Sequence, residues 1–163
     1  MSYPTPSESA LLAAAEQLMR TAMAGNDPSH DALHVLRVQN TALRLARAQP
    51  TGTVDLLVVE LAALLHDILD RKYTPAGTVD PRAYFASFFG AHREVLSEDR
   101  AELVLRVVDH VSWTTEKKLR ASNGWGKWHD ECVELHCVQD ADRLDAIGAI
   151  GACYLGVSLH LYA

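Results

Sequence analysis

Between residues 54 and 68, Val54, Leu57, Val58, Leu61, Leu64, Leu65 and Ile68 follow the i, i+3, i+4, i+7 spacing of one helical face for about four turns. A helix this apolar belongs in a core. Near its end, at three quarters of its length, stand an adjacent histidine and aspartate, His66 and Asp67. Polar groups in such a place must find partners or border a cavity, because an unpaired polar group away from water costs several kcal/mol, on the order of 2–7.

The rest of the chain is read around that helix. Ser7 precedes a run of good helix formers that Gly25 and Asn26 close, predicting a helix over 7–24. After the turn residues 26–29, Val35, Val38, Ala42 and Leu45 mark a second helix, interrupted by Pro50 and Gly52. Residues 73–81, with two prolines and a glycine, read as a surface loop, and 81–90 as a short helix with proline in its first turn. Leu103, Val104, Val107, Val108 and Val111 mark a stronger helix. Residues 113–128 read as a loop or short helix, followed by a helix from about His129 and a last one holding Leu144, Ile147, Ile150 and Leu155. No repeat and no alternating strand pattern interrupts this series, so the class is all-α, a helical bundle in a single domain over 1–163.

The formal net charge of −6, with both signs interleaved, offers no broad basic surface and argues against nucleic acid as a partner. A small anion stays compatible, since a bound metal and a few local cations reverse the field inside a cleft. Three cysteines, at 132, 137 and 153, form no CxxC pair and suggest reduced thiols. No stretch approaches a membrane span or a signal peptide, so the expectation is a cytoplasmic protein without membrane contact.

Imidazole and carboxylate together suit divalent transition metals. His34 lies at the edge of the second helix's apolar stripe and can face the same interior as His66 and Asp67. The last helix adds carboxylates at Asp140, Asp142 and Asp145, of which Asp142 and Asp145 share a face. Any one of these residues has a bland reading as a hydrogen-bonded core group; their combination makes a metal site an equal alternative to it.

The order His34, His66-Asp67, Asp142 resembles the H...HD...D signature of HD-domain phosphohydrolases. The segments HDALHVLRV (30–38), ELAALLHDI (60–68) and QDADRLDAIG (139–148) resemble the three characteristic blocks of small HD hydrolases acting on nucleotides or related phosphoesters, so that the likeness covers about 26–155. It implies one divalent ion (Mn, Fe, Co, Ni or Mg) held by His34, His66, Asp67 and Asp142, with Asp142 chosen over Asp140 and Asp145 on its Ala-Asp-Arg-Leu context. It also implies catalytic roles for Asp67 and for Asp70, three residues on, as general acid or base. The reaction implied is attack of a metal-activated water on a phosphoester or pyrophosphate bond. Four protein ligands leave open positions only at higher coordination numbers, which disfavours a closed tetrahedral zinc site.

Phosphate contacts are expected from Arg37, Lys72, Lys117 or Lys118, and His30 with Asp31 is expected behind the ligands as a supporting pair, with helix capping as the plainer role for His30. Trp113, Trp125 and Trp128 offer either a base-stacking wall or packing. Members of this group usually continue with further helices after the last block, whereas this sequence stops at Ala163; a homodimer is compatible with that. Two rival readings follow: an inactive metal- or nucleotide-binding module, and a di-iron oxygenase drawing on His92, His110, His129 and His136.

Overall fold

The computed structural model describes residues 3–25, 31–69 and 80–147. Among them are eight α-helices: α1 (Pro6–Ala22), α2 (Ala32–Arg47), α3 (Leu56–Leu65), α4 (Pro81–Ala91), α5 (Glu98–His110), α6 (Trp113–Ala121), α7 (Lys127–Glu131) and α8 (Val133–Ile147). The all-α expectation holds.

Short polar side chains start most of these helices. Thr5, rather than Ser7, caps α1, in a reciprocal box with Glu8. Asp31 caps α2 by accepting the His34 backbone N–H at 2.8 Å, Asp55 caps α3, Asp80 caps α4 with Pro81 in its first turn, and Ser97 caps α5. Each accepts an N–H that the first turn leaves unpaired.

Two boundaries differ from the sequence reading. Helix α3 ends at Leu65, so His66 and Asp67 occupy the turn after it rather than its body. The helix expected from His129 breaks at Cys132, whose extended backbone separates α7 from α8. The two expected C-terminal helices are therefore one over 133–147, and Ile150, Cys153 and Leu155 lie outside the described residues. The 113–128 stretch contains α6 as well as connecting turns.

Every residue of α3 from Leu57 to Leu65 is buried, as a helix apolar on all sides requires. Helices α1, α2, α5 and α8 pack around it. The one charge within it, Glu60, accepts hydrogen bonds from the Tyr3 hydroxyl and Gln39 Nε2. Cys132 and Cys137 are buried free thiols.

Polar contacts fix the direction of the helices. At one end the Asp55 backbone N–H donates to Glu134 and Arg100 Nε donates to Asp55, so α3, α5 and α8 all start together. Gln139, midway along α8, donates from Nε2 to the carbonyl of His110, the last residue of α5, at 2.9 Å, so α3 and α5 finish beside the second half of α8. Helix α2 runs the opposite way and brings its first turn, with His34, to that same finishing end.

Candidate metal centre

Four side chains meet where α3, α5 and α8 finish. His34 comes from the first turn of α2, His66 and Asp67 from the turn after α3, and Asp142 from late α8. His34 Nε2 lies 3.5 Å from Asp67 Oδ2 and 3.4 Å from Asp142 Oδ1, and His66 Nε2 lies 3.4 Å from Asp67 Oδ1 and 3.8 Å from Asp142 Oδ1. The His34 and His66 rings are 5.6 Å apart, centroid to centroid. Donor atoms of His34, His66 and Asp67 all lie within 4.8 Å of one another.

The outer nitrogens of both rings are occupied. His66 Nδ1 is 2.8 Å from the carbonyl of Ala63, an acceptor only, so Nδ1 carries the proton and Nε2 turns its lone pair inward. His34 Nδ1 is 2.8 Å from Asp145 Oδ2, and Arg37 holds that carboxylate through Nε at 2.7 Å and Nη2 at 2.9 Å. This carboxylate–imidazole arrangement is how proteins fix the tautomer and aim of a metal-ligating histidine.

His66 Nε2 and Asp67 Oδ2 are buried with no hydrogen-bond partner among the described residues. Leaving such atoms unpaired is costly. A cation between them removes the cost: donors about 2.1 Å from one ion and about 90–110° apart stand roughly 3.0–3.5 Å from each other. Three of the four observed separations sit at the upper edge of that range and the fourth, His66 Nε2 to Asp142 Oδ1, lies 0.3 Å beyond it, so the donor set fits a divalent ion after a small inward shift of Asp142.

Opposed charges also shift the titrations. Burial favours the neutral His66 ring, but Asp67 and Asp142 outweigh it and push its pKa up to about 9 when no cation is bound, so a metal taking the Nε2 lone pair would displace a proton from it. Burial likewise opposes the charged form of His34, and Asp142 and Asp145 turn its shift upward. Burial raises the Asp142 carboxyl less than His34 and His66 lower it, which leaves it well below the usual carboxylate range.

The expected residues fall into different places. Asp145 stands behind His34 and Asp140 is exposed on the outside of α8, so Asp142 is the carboxylate of that segment that faces the imidazoles. Arg37 is tied to Asp145, and Asp31 caps α2 instead of contacting an imidazole; the carboxylate orienting His34 is Asp145. Lys117 and Lys118 are exposed on α6. His30, Asp70 and Lys72 lie outside the described residues.

The role of Asp145 was missed at the sequence level; its spacing from Asp142 was the available signal. The four histidines proposed for a second metal go elsewhere: His92 packs on Phe88, while His110 and His129 pack with Trp128 and His136 bonds the carbonyl of His129. An open cleft of about 460 Å³ between Tyr3, Asp55, Arg100 and Glu134 is at the opposite end of the bundle, far from these donors, and its charged groups pair with one another.

Comparison with known proteins agrees with this geometry. The profile of the HD domain family matches residues 32–147. The uncharacterized protein YpgQ of Bacillus subtilis (strain 168) is 31% identical over 142 residues, covering 84% of this chain and 62% of YpgQ. The chain thus spans less than two thirds of that relative. The crystal structure of Bacillus subtilis YpgQ in complex with ADP superposes with a TM-score of 0.66 at 23% identity, covering 96% of this chain and 69% of that one. The Lin1889 protein of Listeria innocua gives 0.65 at 23% identity, with 95% and 66% covered. These likenesses carry the fold.

Proposed function

The chain belongs to the HD domain family, and from that membership we propose that it is a metal-dependent phosphohydrolase acting on a small phosphorylated compound of the nucleotide type. One observation carries the reading: two imidazole nitrogens and two carboxylates face each other at 3.4 to 3.8 Å, both rings fixed proton-outward. A divalent ion held by His34, His66, Asp67 and Asp142, whether Mn, Fe, Co, Ni or Mg, supplies Lewis-acid chemistry, neutralising phosphate charge and making water acidic.

The remaining work falls to the chain's own groups. Asp145 and the Ala63 carbonyl keep His34 and His66 oriented as neutral donors. Asp67 sits against both imidazoles, and Asp70, three residues further on, is the group assigned to move a proton. Arg37, Lys72, Lys117 and Lys118 supply positive charge for the phosphates, and Asp31 steadies the first turn of α2 by accepting the His34 backbone N–H. A nucleotide is favoured because YpgQ, 31% identical over 142 residues, has been crystallised with ADP.

The test is release of phosphate or pyrophosphate from a panel of ribo- and deoxyribonucleotides with Mn²⁺, Co²⁺ or Mg²⁺. Metal-dependent release is expected, falling about 100-fold or more in a folded Asp67→Ala variant. Release that persists in the variant, or none from the folded, metal-loaded wild type, contradicts the assignment.

A further inference from the structure

The three tryptophans have different fates. Trp125 stacks on His129 at 4.4 Å between centroids, lies under the Arg120 guanidinium at 4.2 Å and donates from Nε1 to Asp130. Trp128 lies under Arg106 at 3.8 Å and packs edge-on to His110 and His129. Both are packing residues. Trp113, the first residue of α6, is 55% exposed, although burying an indole is among the largest hydrophobic gains a side chain offers.

Its neighbours are cations. The Arg143 guanidinium carbon is 5.2 Å and Lys117 Nζ 5.9 Å from the Trp113 ring centroid. Arg143 does not swing freely: it is paired with Glu116, a buried carboxylate that Arg120 also holds at 2.7 Å. Position ties this group to the metal centre. Two residues separate the end of α5 from the start of α6, at the end of the bundle where His34, His66, Asp67 and Asp142 meet, and Arg143 directly follows Asp142 in the chain.

We propose that Trp113, flanked by Lys117 and Arg143, is the stacking platform for the planar base of the substrate, the residue by which this site tells a nucleotide from a base-free polyphosphate. A half-exposed indole with two cations 5.2 and 5.9 Å from its ring centre suits a planar group joined to an anionic chain: the ring takes the base, and the cations and the metal centre take the phosphates. The inference rests on the phosphohydrolase reading for where the phosphates lie, and on the exposed ring and its cations for the stacking.

Calorimetric titration of the full chain, loaded with Mn²⁺, with ADP and separately with inorganic pyrophosphate tests it without requiring turnover. Wild type is expected to prefer ADP. Trp113→Ala is expected to shrink the ratio of ADP to pyrophosphate affinity by about ten-fold or more, and Trp113→Phe to keep most of it; the exposed position favours folding of both variants, which circular dichroism checks. No ADP binding by wild type, no preference for ADP, or a ratio changed less than two-fold by Trp113→Ala overturns the platform. A Trp113-dependent preference for ADP without hydrolysis of any nucleotide upholds the platform and removes the hydrolase; hydrolysis with a ratio indifferent to Trp113 does the reverse.

Discussion

What distinguishes His34 and His66 from ordinary core histidines is the atom behind each ring. A carboxylate in one case and a backbone carbonyl in the other hold the Nδ1 proton, so that both Nε2 lone pairs converge on Asp67 and Asp142. Asp145 should therefore matter to metal affinity without touching the ion. Asp145→Asn is expected to weaken Mn²⁺ binding by about 10- to 100-fold, measured by titration calorimetry, because the amide is a poorer acceptor for His34 and a poorer partner for Arg37; unchanged affinity would remove Asp145 from the site. His66 and Asp67 were legible in the sequence because an adjacent polar pair stands out at the end of an apolar run. Asp145 was not, since its partner His34 is 111 residues away and meets it only when α2 packs on α8.

At the scale of elements, helices α2 and α5 follow from their apolar spacing and α4 from the proline in its first turn. The end of α3 and the break at Cys132 do not: neither has a proline or glycine beside it to mark it. The tie between α6 and α8 also escapes a linear reading, because Glu116, buried on α6, pairs with Arg143 of α8 and Arg120 of its own helix. Burial raises the Glu116 pKa, but the two arginines lower it further, so the folded value lies below the ordinary one. A carboxylate with a depressed pKa stabilises the fold above its unfolded value, near 4.3, and that contribution disappears as pH falls through the folded value. Glu116→Gln should accordingly lower stability to urea at pH 7 while flattening the loss of stability below about pH 4; parallel pH profiles for variant and wild type would exclude this coupling.

For the molecule as a whole, enclosure of α3 is the organising fact. Its C-terminus, not its flank, presents His66 and Asp67, and at that end His34, Asp142 and Asp145 meet them. Leu64, the penultimate residue of α3, is fully buried. Leu64→Ala is expected to cost about 2–5 kcal/mol in urea unfolding, and a cost under 1 kcal/mol would mean that α3 is not the centre of the core. The central claim is that these helices close around a cation. Crystals grown with Mn²⁺ and measured at the manganese absorption edge test it most directly: one anomalous peak is predicted about 2.0–2.3 Å from His34 Nε2, His66 Nε2 and a carboxylate oxygen of each of Asp67 and Asp142. A folded chain whose map shows no ion there at millimolar Mn²⁺, or an ion bound through other residues, contradicts it.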